Sequence, residues 1–258
     1  MEEYLLSHIL DLAEQSQRKG TMRASEFLGL TEQGKIAGLL SSSSIQGAPF
    51  LLFGGHPESE RNRLILFPDL ESKESFLFEE EDQLQFIRLL KLTPRYAKEE
   101  RKLGHRDYLG ALMSLGIKRE TIGDILYEDG LAYLYLSPTA AKEALEGLDS
   151  VGRVPMNVKE VPLSDCHLSF LKESIRLSVS SLRLDNVLSA IAHLSREDAK
   201  NAILGERVHL SLHENARPDT VLLPGERVSY EGWGKFIYRE TVGESRKGKL
   251  VLILERLL

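Results

Sequence analysis

Apolar positions recur at helical spacing through Leu5, Ile9, Leu12 and Ala13, which predicts an opening helix over residues 2–17. Thr31 can cap a second helix running to Leu40 or beyond, and the serines at 41–44 form a loop or a frayed helix end. Short buried runs at 50–53 and 64–67 read as strands. The acidic run 79–82 is either a linker or a solvated helix face. A clearer order follows: a strand at 86–92 stopped by Pro94, a helix at 99–115 ended by Gly116, and strands at 122–128 and 131–136. Asp129-Gly130 between those strands is a hairpin signal, because both central residues must tolerate positive φ. Pro138 opens a helix to about 148, and 154–161 is a last strand. The order β-α-β-β-α-β is that of the ferredoxin-like or RRM-like split βαβ arrangement.

The final third predicts two helices on a small antiparallel sheet. The first helix spans 184–192. Ser195 caps the second, with Asp198 at its third position, Ala199, Ala202 and Ile203 facing inward, and Gly205 at its end. Strands follow at 208–212, 227–230, 236–241 and 249–255, with a basic hairpin tip at 243–248. The fold class expected is α+β in three parts: a small α/β domain at 1–82, a ferredoxin-like or RRM-like domain at 83–163, and the two-helix domain at 164–258.

Composition changes this picture little: 42% hydrophobic and 28% charged residues are ordinary for a folded chain of 258 residues. The single cysteine, Cys166, excludes an intramolecular disulfide and a cysteine-based metal cluster, and fits a reducing compartment. The first residues are acidic and amphipathic, unlike a secretory signal. The longest wholly apolar run, 131–136, is too short to span a bilayer, so no membrane partner is expected.

Net charge is −6, awkward for a polyanion binder, so the distribution matters more than the sum. Residues 71–82 hold six acids and one lysine, whereas 88–119 hold nine Lys or Arg and three acids, a local excess of +6. Residues 165–258 are nearly balanced, with fourteen basic and thirteen acidic groups. Any anion site is therefore local.

Candidate chemistry follows from these patterns. Arg183 precedes one helix, Arg196 follows the Ser195 cap of the next, and Lys200 lies one turn on, beside a helix N-terminus that attracts phosphate. Arg207 follows the same helix. The alternative is that Arg183 pairs with Asp185 or Asp198 and Arg196 is a solvated charge. Asp185 and Leu188 suit structural roles. A second cluster gathers His105, Arg106, Lys118 and Arg119, and Lys118 and Arg119 could reach phosphates from one loop. Tyr133 and Tyr135 share one strand face; RRM-type sheets stack bases on such aromatics, but RNP1 spacing is missing and core packing suits them better. The seven histidines show no metal-ligand spacing, and Cys166 shows no activating neighbours. Trp233, between two glycines, suits either an interface or local packing. Gly54-Gly55 lacks the third glycine and the Lys-Ser/Thr of a phosphate loop, and no GxSxG or HExxH occurs.

The set Arg183-Leu184-Asp185, Leu188, Ser195-Arg196, Ala199, Gly205, Val208, Pro218 and Gly225-Glu226 resembles the S4 RNA-binding domain. It departs at Ser211, where Asn is usual, and at Glu226, where Asp is usual. Upstream, Gly104-His105-Arg106-Asp107-Tyr108-Leu109-Gly110-Ala111-Leu112 and Gly116-Ile117-Lys118-Arg119-Glu120 resemble the middle domain of YlmH proteins, and Phe53-Gly54-Gly55 with Glu60-Arg61 fits the same family. The resemblance implies a bacterial, cytoplasmic, non-enzymatic protein that binds rRNA or tRNA on the large ribosomal subunit, without a small-molecule cofactor. It also implies a role in quality control of stalled peptidyl-tRNA, or a link to cell division with division proteins as partners. The S4 resemblance carries over to Arg183, Ser195, Arg196 and Lys200 and the middle motif to His105, Arg106, Lys118 and Arg119, without assigned roles for the latter; with Arg207 these make the expected RNA-binding set. The rivals are an RNA-modifying enzyme of the pseudouridine synthase or methyltransferase type, which an acid-lined, cofactor-sized pocket within 1–82 would favour, and a protein-interaction adaptor using the acidic N-terminal region.

Overall fold

The computed structural model describes residues 2–40, 42–96, 103–168, 172–211 and 216–257. The chain forms two compact units: Met1–Gly29 with Ser42–Ser169, and Leu30–Ser41 with Phe170–Leu258. The first two parts expected from the sequence thus share one unit, and Leu30–Ser41 groups with the C-terminal one.

Helix α1 (Glu2–Lys19) buries Ile9, Ala13 and Ser16 at the spacing the pattern predicts. Ser16 Oγ and Gln17 Nε2 donate to the carbonyls of Leu66 and Phe67, which ties the helix to the sheet. Strand β1 (Arg23–Leu28) follows, then the short helices α2 (Leu30–Lys35) and α3 (Ala37–Leu40), so Thr31 lies inside a helix instead of capping one. Strands β2 (Ser44–Ile45), β3 (Ala48–Phe53) and β4 (Asn62–Leu66) complete an antiparallel sheet in the order β1-β4-β3-β2. Asp69 caps helix α4 (Leu70–Phe78) by accepting from the Ser72 N–H at 2.7 Å. Phe76 closes an aromatic cluster with Phe53 and Phe67, edge-on at centroid distances of 5.1 and 5.3 Å. The acidic run is helix α5 (Glu80–Leu84), not a linker. Its three first-turn acids favour the helix N-terminus, and Glu80 accepts from the Leu163 N–H at 2.6 Å.

Strand β5 (Arg88–Pro94) opens the middle sheet. Helix α6 (His105–Ser114) begins later than the pattern predicts, and the expected start at 99 lies outside the described residues. Strands β6 (Ile122–Glu128) and β7 (Leu131–Leu136) meet at Asp129 and Gly130, with φ of 47° and 86°, the geometry that Asp-Gly signals. Helix α7 (Pro138–Gly147), capped by Ser137, then β8 (Ser150–Val151) and β9 (Val154–Val161) finish the part. The order β6-β7-β5-β9-β8, all antiparallel, is ferredoxin-like. Leu90, Leu92, Leu134 and Leu136 face the two helices. Tyr133 and Tyr135 point to the other face and are fully buried, so this face is no open base-stacking surface. Gly55 approaches the Tyr135 ring so closely that a Cβ would sit 2.6 Å from it, and a Cβ on Gly123 would meet Phe27 at 2.7 Å.

The C-terminal unit contains β10 (Lys172–Val179), α8 (Leu184–Ala192), α9 (Arg196–Leu204), β11 (Val208–Leu210), β12 (Arg227–Tyr230), β13 (Gly234–Glu244) and β14 (Leu250–Leu257). The sheet order is β10-β14-β13-β12-β11, antiparallel throughout, and α2 lies beside β11. Val187, Leu188, Ala199 and Ile203 from the helices pack on Val228, Phe236, Leu252 and Leu254 from the strands. Among the described residues no helix is long and apolar enough to cross a membrane.

Candidate nucleic-acid interface

Asp185 organises the strongest candidate site. Backbone N–H groups at the start of α8 are satisfied by a neighbouring loop: Leu184 donates to Thr220 at 2.7 Å and Asp185 to Pro218 at 3.0 Å. The Asp185 carboxylate is then free to act as an anchor. It is 0% exposed and accepts from Arg183 Nε and Nη2, each at 3.2 Å, and from Arg196 Nε at 3.3 Å. Burial pushes this carboxyl upward, but the hydrogen bonds and charges of Arg183 and Arg196 outweigh it and hold the group below its ordinary value. Arg183 is correspondingly raised, chiefly by its bond to Asp185. Two helices therefore deliver two guanidinium groups to one carboxylate, a local charge of +1. The side chains remain 39% and 57% exposed, so each fork still presents N–H groups to solvent. Pairing with Asp185 and access to an anion coexist here, whereas the sequence sets them as alternatives.

The N-terminus of α9 is less open than the sequence suggests. Ser195 Oγ accepts from the Asp198 N–H at 3.1 Å and donates to the Asp198 carboxylate at 2.6 Å, and Glu197 adds a second acid to the first turn. Phosphate would compete with these groups there, so Ser195 acts as a helix cap, not a ready donor. Lys200 lies half-buried one turn beyond Arg196. Arg207 is exposed, with its guanidinium 5.9 Å from the Tyr230 ring centre. Ser211, which replaces the usual Asn, keeps a backbone contact by accepting from the Arg227 N–H at 3.0 Å. Glu226, which replaces the usual Asp, is buried and accepts from the Leu223 N–H at 3.1 Å after Gly225 turns with φ of 86°.

The second cluster divides. His105 and Arg106 are exposed at the start of α6, and Lys118 is exposed in the turn after it. Arg119 is tied inward, with Nη1 donating to the Ile122 carbonyl at 2.7 Å. Three other cations of the basic stretch meet acids from outside it: Arg88 meets Glu160 at 2.6 Å, and Lys91 and Arg95 meet Asp165 and Asp149, each at 3.5 Å. Lys98, Arg101 and Lys102 lie outside the described residues. This cluster belongs to the first unit, and Arg183, Ser195, Arg196, Lys200 and Arg207 to the second.

Within the first unit, a joint between the N-terminal sheet and β6 is held by Arg61 and Asp124, to which the sequence assigns no role. Arg61 donates from Nε to the Ile122 carbonyl at 2.8 Å and from Nη2 to those of Phe27 and Arg119 at 2.9 and 3.3 Å. The Asp124 carboxylate accepts from the Glu60 and Arg61 N–H groups at 2.8 and 3.3 Å. Gly54 and Gly55 serve packing: a Cβ at Gly54 would lie 2.2 Å from the Ser59 Cβ. A cleft of about 340 Å³ is lined by Met22, Asp69, Glu71, Ser72, Ser75 and Asp82. Two of its carboxylates are engaged locally, Asp69 as the α4 cap and Asp82 with Ser75 and Gln85. Among the described residues, no group of three or more His, Cys, Asp or Glu could hold a metal ion.

Fold and site together define an α+β protein whose C-terminal unit gathers two arginines on one buried carboxylate, a candidate anion site. Residues 81–165 match the family model described as "Putative RNA-binding domain in YlmH". A curated relative, ribosome-associated protein quality control protein P2 of Bacillus subtilis strain 168, is 28% identical over 241 residues, covering 93% of this chain and 89% of the relative. A solved chain described as cell division protein ylmH from Streptococcus pneumoniae aligns with a TM-score of 0.46 and 20% identity, over 64% of this chain and 93% of that one. The chain is thus similar to YlmH proteins through its match to their RNA-binding domain.

Proposed function

We propose that this chain is a non-enzymatic RNA-binding protein that works on the ribosome, gripping structured rRNA or tRNA on the large subunit during quality control of stalled peptidyl-tRNA. The observation that carries this reading is the convergence of Arg183 and Arg196 on buried Asp185, with Lys200 one turn on. Paired guanidinium forks suit phosphate oxygens, and such contacts tolerate sequence and weaken with salt. The YlmH-type RNA-binding match and the quality-control name of the B. subtilis relative support the same reading. The acid-lined cleft within 1–82 meets the condition set for the rival, an RNA-modifying enzyme, with Asp69 and Asp82 held in local hydrogen bonds and Glu71 completing its acids. In a filter assay at low salt, Arg196→Glu with Lys200→Glu should weaken binding to large ribosomal subunits or tRNA about 100-fold or more; unchanged binding refutes the grip.

One observation favours a second reading, the adaptor. Leu70, Leu77 and Phe78 on α4 are 65%, 50% and 83% exposed beside the acids of 71–82. An adaptor keeps its protein partners, division proteins among them, when a pull-down is treated with RNase; an RNA-dependent protein loses them.

A further inference from the structure

The turn joining β12 to β13 carries the only tryptophan in the chain. Trp233 is 41% exposed, yet its backbone is held firmly. Its N–H donates to the Tyr230 carbonyl at 3.0 Å, and its own carbonyl accepts from Arg256 Nη2 at 3.4 Å. The neighbouring Glu231 N–H donates to the Arg207 carbonyl at 3.0 Å. Gly232 and Gly234 adopt φ of 79° and 113°, which side chains disfavour, so the turn and not chance sets where the indole lies.

The indole lies parallel to the Tyr230 ring, with centroids 6.2 Å apart and planes 2° apart. Tyr230 is 5% exposed and also lies under the Arg207 guanidinium. A buried ring thus lies alongside a partly exposed one, and about two fifths of Trp233 meets water. The flanking residues are Glu231, two glycines and Lys235, with Arg207 and Arg256 close by. Trp, Tyr and Arg can also anchor a protein interface, where a rim of surrounding side chains excludes water, and the two glycines beside Trp233 supply no such rim. Flat aromatic surface beside arginines instead matches a nucleobase and its adjoining phosphates, since every base offers a π-face.

We propose that Trp233 is a stacking platform for an unpaired RNA base, with Arg207 and Arg256 facing the adjacent phosphates. The proposal rests on the RNA-binding reading above and adds to it a preference for a single-stranded or bulged segment. The test uses the full chain, a ten-residue oligouridine and a duplex hairpin of matched length, read by filter retention and by tryptophan fluorescence. Because the chain has one tryptophan, the fluorescence reports this site alone. Oligouridine should quench it saturably. Trp233→Ala should weaken oligouridine binding about tenfold and leave the hairpin unchanged, while Trp233→Phe keeps most of the affinity. Retention of oligouridine without quenching, and with Trp233→Ala equal to wild type, overturns the platform and leaves the RNA-binding reading standing. Retention of neither RNA overturns both. A fluorescence change that follows protein concentration without RNA overturns it in favour of self-association.

Discussion

The middle part and the C-terminal unit invert the relation between charge tally and charge placement. The middle part has the larger basic excess, nine cations to three acids across 88–119. Much of it is paired locally at partly exposed positions: Arg88, Lys91 and Arg95 meet acids, and Arg119 is bonded to a carbonyl. The C-terminal unit is nearly neutral, yet one buried carboxylate sets two arginines from different helices side by side. A polyanion responds to cations that are close together, exposed and held in place, so on the proposed reading the neutral unit presents the better candidate site.

The largest effect on this comparison should come from Asp185→Ala. Removing the carboxylate leaves two neighbouring guanidinium groups repelling each other across a buried gap. Loss of one partner of a buried pair typically costs several kcal/mol, and the partial exposure of both arginines puts this case near about 3 kcal/mol. Melting of the C-terminal unit should fall by more than ten degrees, and RNA affinity should fall with it as the arginines splay. Acid should act similarly. The folded Asp185 carboxyl lies below its ordinary value, so its contribution is complete at neutral pH and is lost as the pH falls below about 4 through the folded value. Asp185→Asn should flatten that acid limb in pH-dependent melting.

Arg61→Ala sharpens the contrast from the other side. It removes donors to three backbone carbonyls and should destabilise the first unit by about 2 kcal/mol. RNA affinity at 25 °C should stay within about twofold, because the joint positions no exposed cation pair. A large affinity loss without loss of stability would assign the joint a direct role in binding.

How much of this was legible in the sequence depended on the range of the interactions. Strands 122–128, 131–136 and 154–161 emerge at their observed bounds, because alternation and the Asp-Gly turn are local signals. Strand β10 carries a usable alternation in Ile175, Leu177 and Val179, and the structure adds it to the expected sheet. Strand β1 has a weaker pattern, Arg-Ala-Ser-Glu-Phe-Leu, and owes its form to pairing with β4. At the site, Arg183 and Asp185 are two residues apart and their pairing could be anticipated. Arg196 joins them from eleven residues beyond Asp185, across a helix-helix corner turned by His193 with φ of 50°. No local pattern encodes that convergence, nor the Asp198 contacts that fill the α9 N-terminus.

The most direct test compares charge reversals in the two regions on one RNA. Affinity for large ribosomal subunits should be measured from 50 to 200 mM salt for wild type, Arg196→Glu with Lys200→Glu, and Arg106→Glu with Lys118→Glu, each checked for folding by circular dichroism. The C-terminal pair should lose at least about ten times more affinity than the middle pair and should show the flatter salt dependence. Equal losses, or a larger loss from the middle pair, would contradict the claim that the arginines gathered on Asp185 carry the RNA.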